Sequence, residues 1–145
     1  MVDPGALEKY SLFGGLVPAE IELVRTLLGR ASLTEGEAVV VEGEPSDRIY
    51  FILEGRVAVS KRGIPIADLV EGDTFGEMEF LDVMPSVATI RAKTSTELAT
   101  ISNRALYELS KMSLKTYAII VMNLARDLSR RLRRMDELAT DRPSS

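Results

Sequence analysis

The 145-residue sequence contains no cysteine and no histidine. Without a thiol there is no thiolate nucleophile and no disulfide framework. Without an imidazole there is no histidine base and no ordinary zinc site. These two absences close most catalytic templates, because an enzyme would be left with carboxylates, or with a lysine or tyrosine acting alone. The expectation is a non-catalytic protein with no metal and no cofactor. Long apolar runs are missing too. No stretch approaches the ~18 consecutive apolar residues that a membrane span needs. The opening MVDPGALEKY lacks the basic start and apolar run of a secretory leader. A cytoplasmic chain with no membrane partner is expected. The formal charge of −4 disfavours non-specific adhesion to nucleic acid or anionic membrane by the molecule as a whole.

What is present matches an ordinary folded domain, with 46% hydrophobic and 28% charged residues, 10 glycines and 6 prolines. One domain is long enough to hold a core at this length. Three regimes follow one another. In LVPAEIELVRTLLG, Pro18 opens a helix where its missing N–H is harmless, Ile21, Val24 and Leu27 or Leu28 recur at helical spacing, and Gly29 stops it. From Ala31 to about Ile101 the period is two, in the short runs EAVVVE, RIYFILEG, RVAVSKR, IADLV, VATIRA and ELATI. Turn glycines separate them. Such a series predicts a mainly β fold with flanking helices, a compact β-roll of the jelly-roll kind.

The third regime is helical. NRALYELSKM and LKTYAIIVMNLARDLSRRLRRMDEL contain no glycine or proline. Leu114, Tyr117, Val121, Leu124 and Leu128 follow a 3,4 spacing. This stripe predicts a seam on a long helix at 113–138 that pairs with its twin in a homodimer, after a roll with flanking helices at 1–112 and before a flexible tail at 139–145. The arginines Arg126, Arg130, Arg131, Arg133 and Arg134 are interleaved with Asp127, Asp136 and Glu137. They are expected to form a solvated helix face and not a nucleic-acid site. Only seven residues follow Leu138, too few for a helix-turn-helix.

Phe75 to Ile90, FGEMEFLDVMPSVATI, reads as a glycine turn, a short helical turn and a proline corner entering a strand. Such a turn aims backbone N–H groups at a small anion, yet the side chains around it are Glu77, Glu79 and Asp82. With EGEPSDRIYFILEGRVAV and EGDTFGE in the same order, this stretch resembles the cyclic nucleotide-binding domain of the catabolite activator and protein kinase A regulatory subunit superfamily. The resemblance covers about residues 11 to 138 and, since a DNA-binding domain follows the long helix in the bacterial transcription factors, corresponds to their sensor half alone.

The resemblance implies a ligand site at Phe75, Gly76, Glu77, Met78, Glu79, Ser86 and Val87. Gly76 matches the glycine that opens the cassette's short helix, and Glu77 the glutamate that accepts from the ribose 2′-hydroxyl. The N–H groups of Met78 and Glu79 match those facing the cyclic phosphate. Ser86 stands where the family carries a phosphate-pairing arginine, and Val87 replaces a residue that is often small or hydroxyl-bearing. Losing a charge-assisted contact weakens binding by roughly 1 to 3 kcal/mol or more, and Glu79 adds repulsion if it faces the pocket. Arg91 lies five residues after Ser86, on the opposite face of an ideal strand and about 16 Å along it, so it does not substitute. Two readings follow. One is a sensing module that binds a cyclic nucleotide such as cAMP or cGMP weakly, or another small molecule, and signals to an effector protein. The other is a structural dimer with a vestigial pocket.

Overall fold

The computed structural model describes Leu7, residues 9–76 and residues 85–140. A turn of 3-10 helix at Ser11–Phe13 leads into helix α1, Pro18–Leu27. Proline sits at its first position, and Glu20 reaches back to accept from the Val17 N–H at 3.0 Å, which satisfies a donor at the helix start; the valine side chain offers nothing in return. Among the described residues eight strands follow. They are β1 (Gly29–Leu33), β2 (Ala38–Val40), β3 (Arg48–Glu54), β4 (Arg56–Lys61), β5 (Ile64–Val70), β6 (Thr74–Phe75), β7 (Thr89–Ala92) and β8 (Thr96–Ser102). Helices α2 (Asn103–Met112) and α3 (Leu114–Thr140) complete the fold.

The strands form two antiparallel four-stranded sheets, in the orders β1-β8-β3-β6 and β2-β7-β4-β5. Leu33, Val40, Ile52, Val57, Phe75, Ile90, Ala92 and Leu98 form the core of the roll. A second core lies on the other face of the first sheet. There Ile49, Phe51, Ala99 and Ile101 meet Leu12, Phe13, Ile21, Val24 and residues of α2 and α3. The run RIYFILEG is therefore nearly continuously apolar for a physical reason: β3 sends Ile49 and Phe51 towards the helices and Tyr50 and Ile52 towards the roll, so both faces are covered. The mainly β architecture with flanking helices is the one the sequence predicts.

The sequence reading misses two strands. The helix ends at Leu27, with Leu28 extended as its C-cap, and Gly29 already belongs to β1, paired with Thr100 of β8. β6 is only two residues long and takes its register from β3, with Tyr50 opposite Phe75 and Phe51 opposite Thr74. Strand β5 lies at an open edge of the second sheet, with Ile64 and Ile66 66% and 57% exposed. A register shift falls between Val59 and Ser60 of its partner, and Pro65 sits opposite Ser60.

Helix α2 is capped by the Ser102 hydroxyl, which accepts from the Ala105 N–H at 3.1 Å. At the junction with α3 the fully buried Thr116 bridges Ser113 (2.7 Å) and Glu20 (3.0 Å), linking the long helix to α1. Farther along, the buried Asn123 donates to the carbonyls of Leu12 and Gly14, both at 2.9 Å. These contacts lay α3 against the N-terminal turn. At 27 residues the helix is about 40 Å long.

Candidate functional site

The site region starts where β6 ends. Phe75 is 3% exposed and stacks on Tyr50, with ring centroids 5.0 Å apart and planes at 11°. Its side chain is a core residue of the roll, so any ligand contact here falls to its backbone. Gly76 has φ +86°, and a Cβ built on it would stand 2.8 Å from the Arg48 carbonyl oxygen and 3.3 Å from the Tyr50 ring. Thus the glycine is required by the protein's own packing, through both its left-handed backbone and the closeness of β3, before any ligand is considered. Burial pushes the Tyr50 phenol up from its ordinary range. Glu77, Met78 and Glu79, the remaining first-turn residues of the expected cassette, lie outside the described residues.

At the other end of the cassette the corner at Ser86 is tied into the roll. Its N–H donates to the Glu44 carbonyl at 3.0 Å, and its own carbonyl accepts from the Gly43 N–H at 2.8 Å. The residue is 5% exposed and its side chain bonds two residues ahead, just before β7, donating to the Ala88 carbonyl at 2.7 Å and accepting from the Ala88 N–H at 3.3 Å. Such a short side chain holds its corner by local bonding, the habit of serine in turns. Val87 beside it is 55% exposed. Arg91 is exposed on β7 and donates to the Gly36 carbonyl at 3.3 Å.

The arginine that does approach the cassette comes from the long helix. Arg131 of α3 is partly buried, and its Nη2 donates to the Thr74 carbonyl and, at 3.2 Å, to the Thr74 hydroxyl. Thr74 is two residues before Gly76. The expectation of a solvated arginine face holds for Arg126, Arg130, Arg133 and Arg134, which are exposed, and fails for Arg131. A signal for it exists in the sequence: Arg131 continues the spacing Thr116, Ile120, Asn123, Leu124, Asp127 along the buried edge of the helix.

A second tether holds the turn that feeds β6. The Tyr10 hydroxyl donates to Glu71 at 2.5 Å, and Lys9 pairs with the same carboxylate at 3.3 Å. These bonds, from Tyr10 first and Lys9 second, hold the Glu71 carboxyl below its ordinary value. Burial and the bond to Glu71 raise the Tyr10 phenol. Its ring also meets Phe51 edge-on at 4.6 Å.

The expected dimer seam divides. Leu124 is 3% exposed and belongs to the helical core, and Tyr117 packs against that core. Leu124 is therefore corrected from an interface residue to an internal one, because this edge of α3 already has a neighbour in its own chain. Leu114 is 68% exposed, and Val121 and Leu128 are half-buried. The exposed edge continues through Ala118, Met122, Ala125 and Leu132, which the sequence reading did not single out. Among the described residues no group of three or more acidic side chains could hold a metal ion, and no helix is long and apolar enough to cross a membrane.

The comparisons agree with this geometry. Residues 30–113 match the family model of the cyclic nucleotide-binding domain. The cAMP-dependent protein kinase regulatory subunit of Emericella nidulans is 33% identical over 95 residues, which is 64% of this chain and 23% of that protein. The CRP-like cAMP-activated global transcriptional regulator of Mycobacterium tuberculosis is 29% identical over 144 residues, 93% of this chain and 61% of the regulator. The chain thus spans about a quarter of the first relative and three fifths of the second. The crystal structure of a cyclic nucleotide-binding domain from Methylobacillus flagellatus superimposes with a TM-score of 0.84 at 26% identity, covering 97% of this chain and 83% of that one. With the two-sheet roll, the glycine turn after β6 and the long terminal helix in the same order, the chain belongs to the cyclic nucleotide-binding domain family.

Proposed function

We propose that the chain is a non-catalytic regulatory domain of the ligand-sensing kind, needing no cofactor and working in the cytoplasm. Its phosphate-binding cassette is atypical, so that ordinary cAMP and cGMP binding is weak or lost. The relatives that support the reading are named as regulatory subunits and regulators. The observation that carries it is Ser86. In place of a cation at the cassette corner there is a 5% exposed hydroxyl already bonded to the backbone of Ala88. A neutral hydroxyl offers less to a cyclic phosphate than a guanidinium does, because charge-assisted hydrogen bonds are roughly twice as strong.

Signalling would run through α3 to a second copy and to an effector protein. Support for the second copy is the exposed apolar edge of the helix, with Leu114, Met122 and Leu132 all more than half exposed. Val121 and Leu128 flank that edge.

A thermal unfolding scan with and without millimolar cAMP or cGMP tests the reading. Occupancy at ~100 times Kd would add ~2.7 kcal/mol, a rise of several degrees. The expected result is little or no shift for the native chain and a clear rise for Ser86→Arg. A large shift for the native chain would overturn the weak-binding claim. If Ser86→Arg, folded by the same scan, gains nothing, the alternative stands: a structural homodimer whose pocket is vestigial. The packing of the Phe75 side chain into the roll core favours that second reading.

A further inference from the structure

A cleft opens between the N-terminal turn, the β5–β6 turn and the stretch of α3 from Asp127 to Arg134. It encloses about 130 Å³, far more than a single water needs. Arg130, Arg131 and Arg134 line it from the helix, together with Ser11 of the N-terminal turn and Thr74 of β6. Arg131 is partly buried and oriented by Thr74. Arg134 is exposed. Two carboxylates also face the cleft. Asp73 accepts from the Val70 N–H at 2.9 Å, and Asp127 holds Arg130 and the Ser11 hydroxyl only loosely, at 3.3 to 3.4 Å. The net charge of the lining is positive, and its loosest bonds are those an incoming anion would replace.

We propose that this cleft is a binding site for a small soluble anion carrying one or two phosphoryl groups, separate from the Ser86 corner. Arg130 and Arg134 grip the phosphoryl oxygens from the helix, as guanidinium forks suit them. The Ser11 hydroxyl turns from Asp127 to donate from the N-terminal turn. Through Arg131 the occupied cleft touches Thr74 and hence the strand that enters the cassette. The described walls of the cleft include neither Ser86 nor Val87, so the site stands apart from the Ser86 corner.

The test is a titration of the full chain with inorganic phosphate and with pyrophosphate, followed by backbone amide NMR, with chloride at matched ionic strength as the control. Saturating shifts should concentrate at Ser11, Gly72, Thr74 and Arg130. Combining Arg130→Gln with Arg134→Gln should weaken pyrophosphate at least about ten-fold, whereas Arg133→Gln, outside the cleft on the same helix, should change it less than about two-fold. All three side chains are exposed, so the variants keep the fold. Equal losses for Arg133→Gln and the cleft variants would reduce the effect to diffuse helix charge and overturn the proposal. Absence of saturation would do the same. Sedimentation with phosphatidylserine vesicles, without any response to pyrophosphate, would reassign the arginines to a membrane surface and overturn it too.

Discussion

The two edges of α3 share a sequence and differ in fate. Along one edge, Thr116, Ile120, Asn123, Leu124 and Arg131 are buried or partly buried against the chain's own N-terminal turn, core and cassette strand. Along the other, Leu114, Met122 and Leu132 are 68%, 51% and 63% exposed. Both edges are apolar enough to be buried. The buried one is distinguished by its polar residues: Thr116 reaches Glu20, Asn123 satisfies two backbone carbonyls, and Arg131 clasps Thr74. Apolar spacing locates a face; the polar residues on it identify the neighbour.

Truncation sharpens the comparison most. Leu124→Ala should destabilise the fold by about 2–5 kcal/mol, since the lost methyl groups leave a cavity between α3 and the sheet, measured by chemical denaturation. Asn123→Ala comes next, at about 1–3 kcal/mol, because the buried Leu12 carbonyl loses its donor and the partly buried bond to the Gly14 carbonyl goes with it. A wild-type-like midpoint for either would mean that this edge does not hold the helix. The tether to the β5–β6 turn gives a pH signature. The folded pKa of Glu71 is depressed, so its contribution is present in full above the ordinary value of 4.5 and is lost as pH falls through the lowered one. Tyr10→Phe removes the larger cause, and its unfolding midpoint should fall less steeply than wild type on the acid side. Parallel acid limbs would count against the tether. Smallest is Leu132→Glu on the exposed edge, within about 0.5 kcal/mol for the monomer. If that edge seats a second copy, ultracentrifugation should nonetheless show the variant dissociating at concentrations where the native chain is paired.

The sequence shows its long elements clearly. Pro18, the alternating runs and the uninterrupted helical stretches place α1, every described strand but β1 and β6, α2 and α3, because each follows a local rule; β1 is hidden because it begins at the glycine that also reads as a helix stop. β6 is not legible, since two residues carry no period and owe their register to Tyr50 and Phe51 of β3. Phe75 illustrates the same limit at the candidate site: its position beside a glycine turn is visible in the sequence, but its stacking on Tyr50 is a tertiary fact. Ser86 could be seen to lack a charge, whereas its bond to Ala88 could not be seen. The 3,4 stripe through Leu114, Tyr117, Val121, Leu124 and Leu128 runs along the border between the two edges of α3. A one-dimensional pattern could not divide it.

The open edge of the second sheet has a bearing on how the protein behaves in concentrated solution. A strand as exposed as β5, carrying Ile64 and Ile66 outward, offers other chains a template for accretion. Pro65 supplies no backbone donor, and the register shift beside it breaks the even row of donors and acceptors that an incoming strand must match. Replacing this one ring could leave the fold intact and shorten the shelf life of the protein.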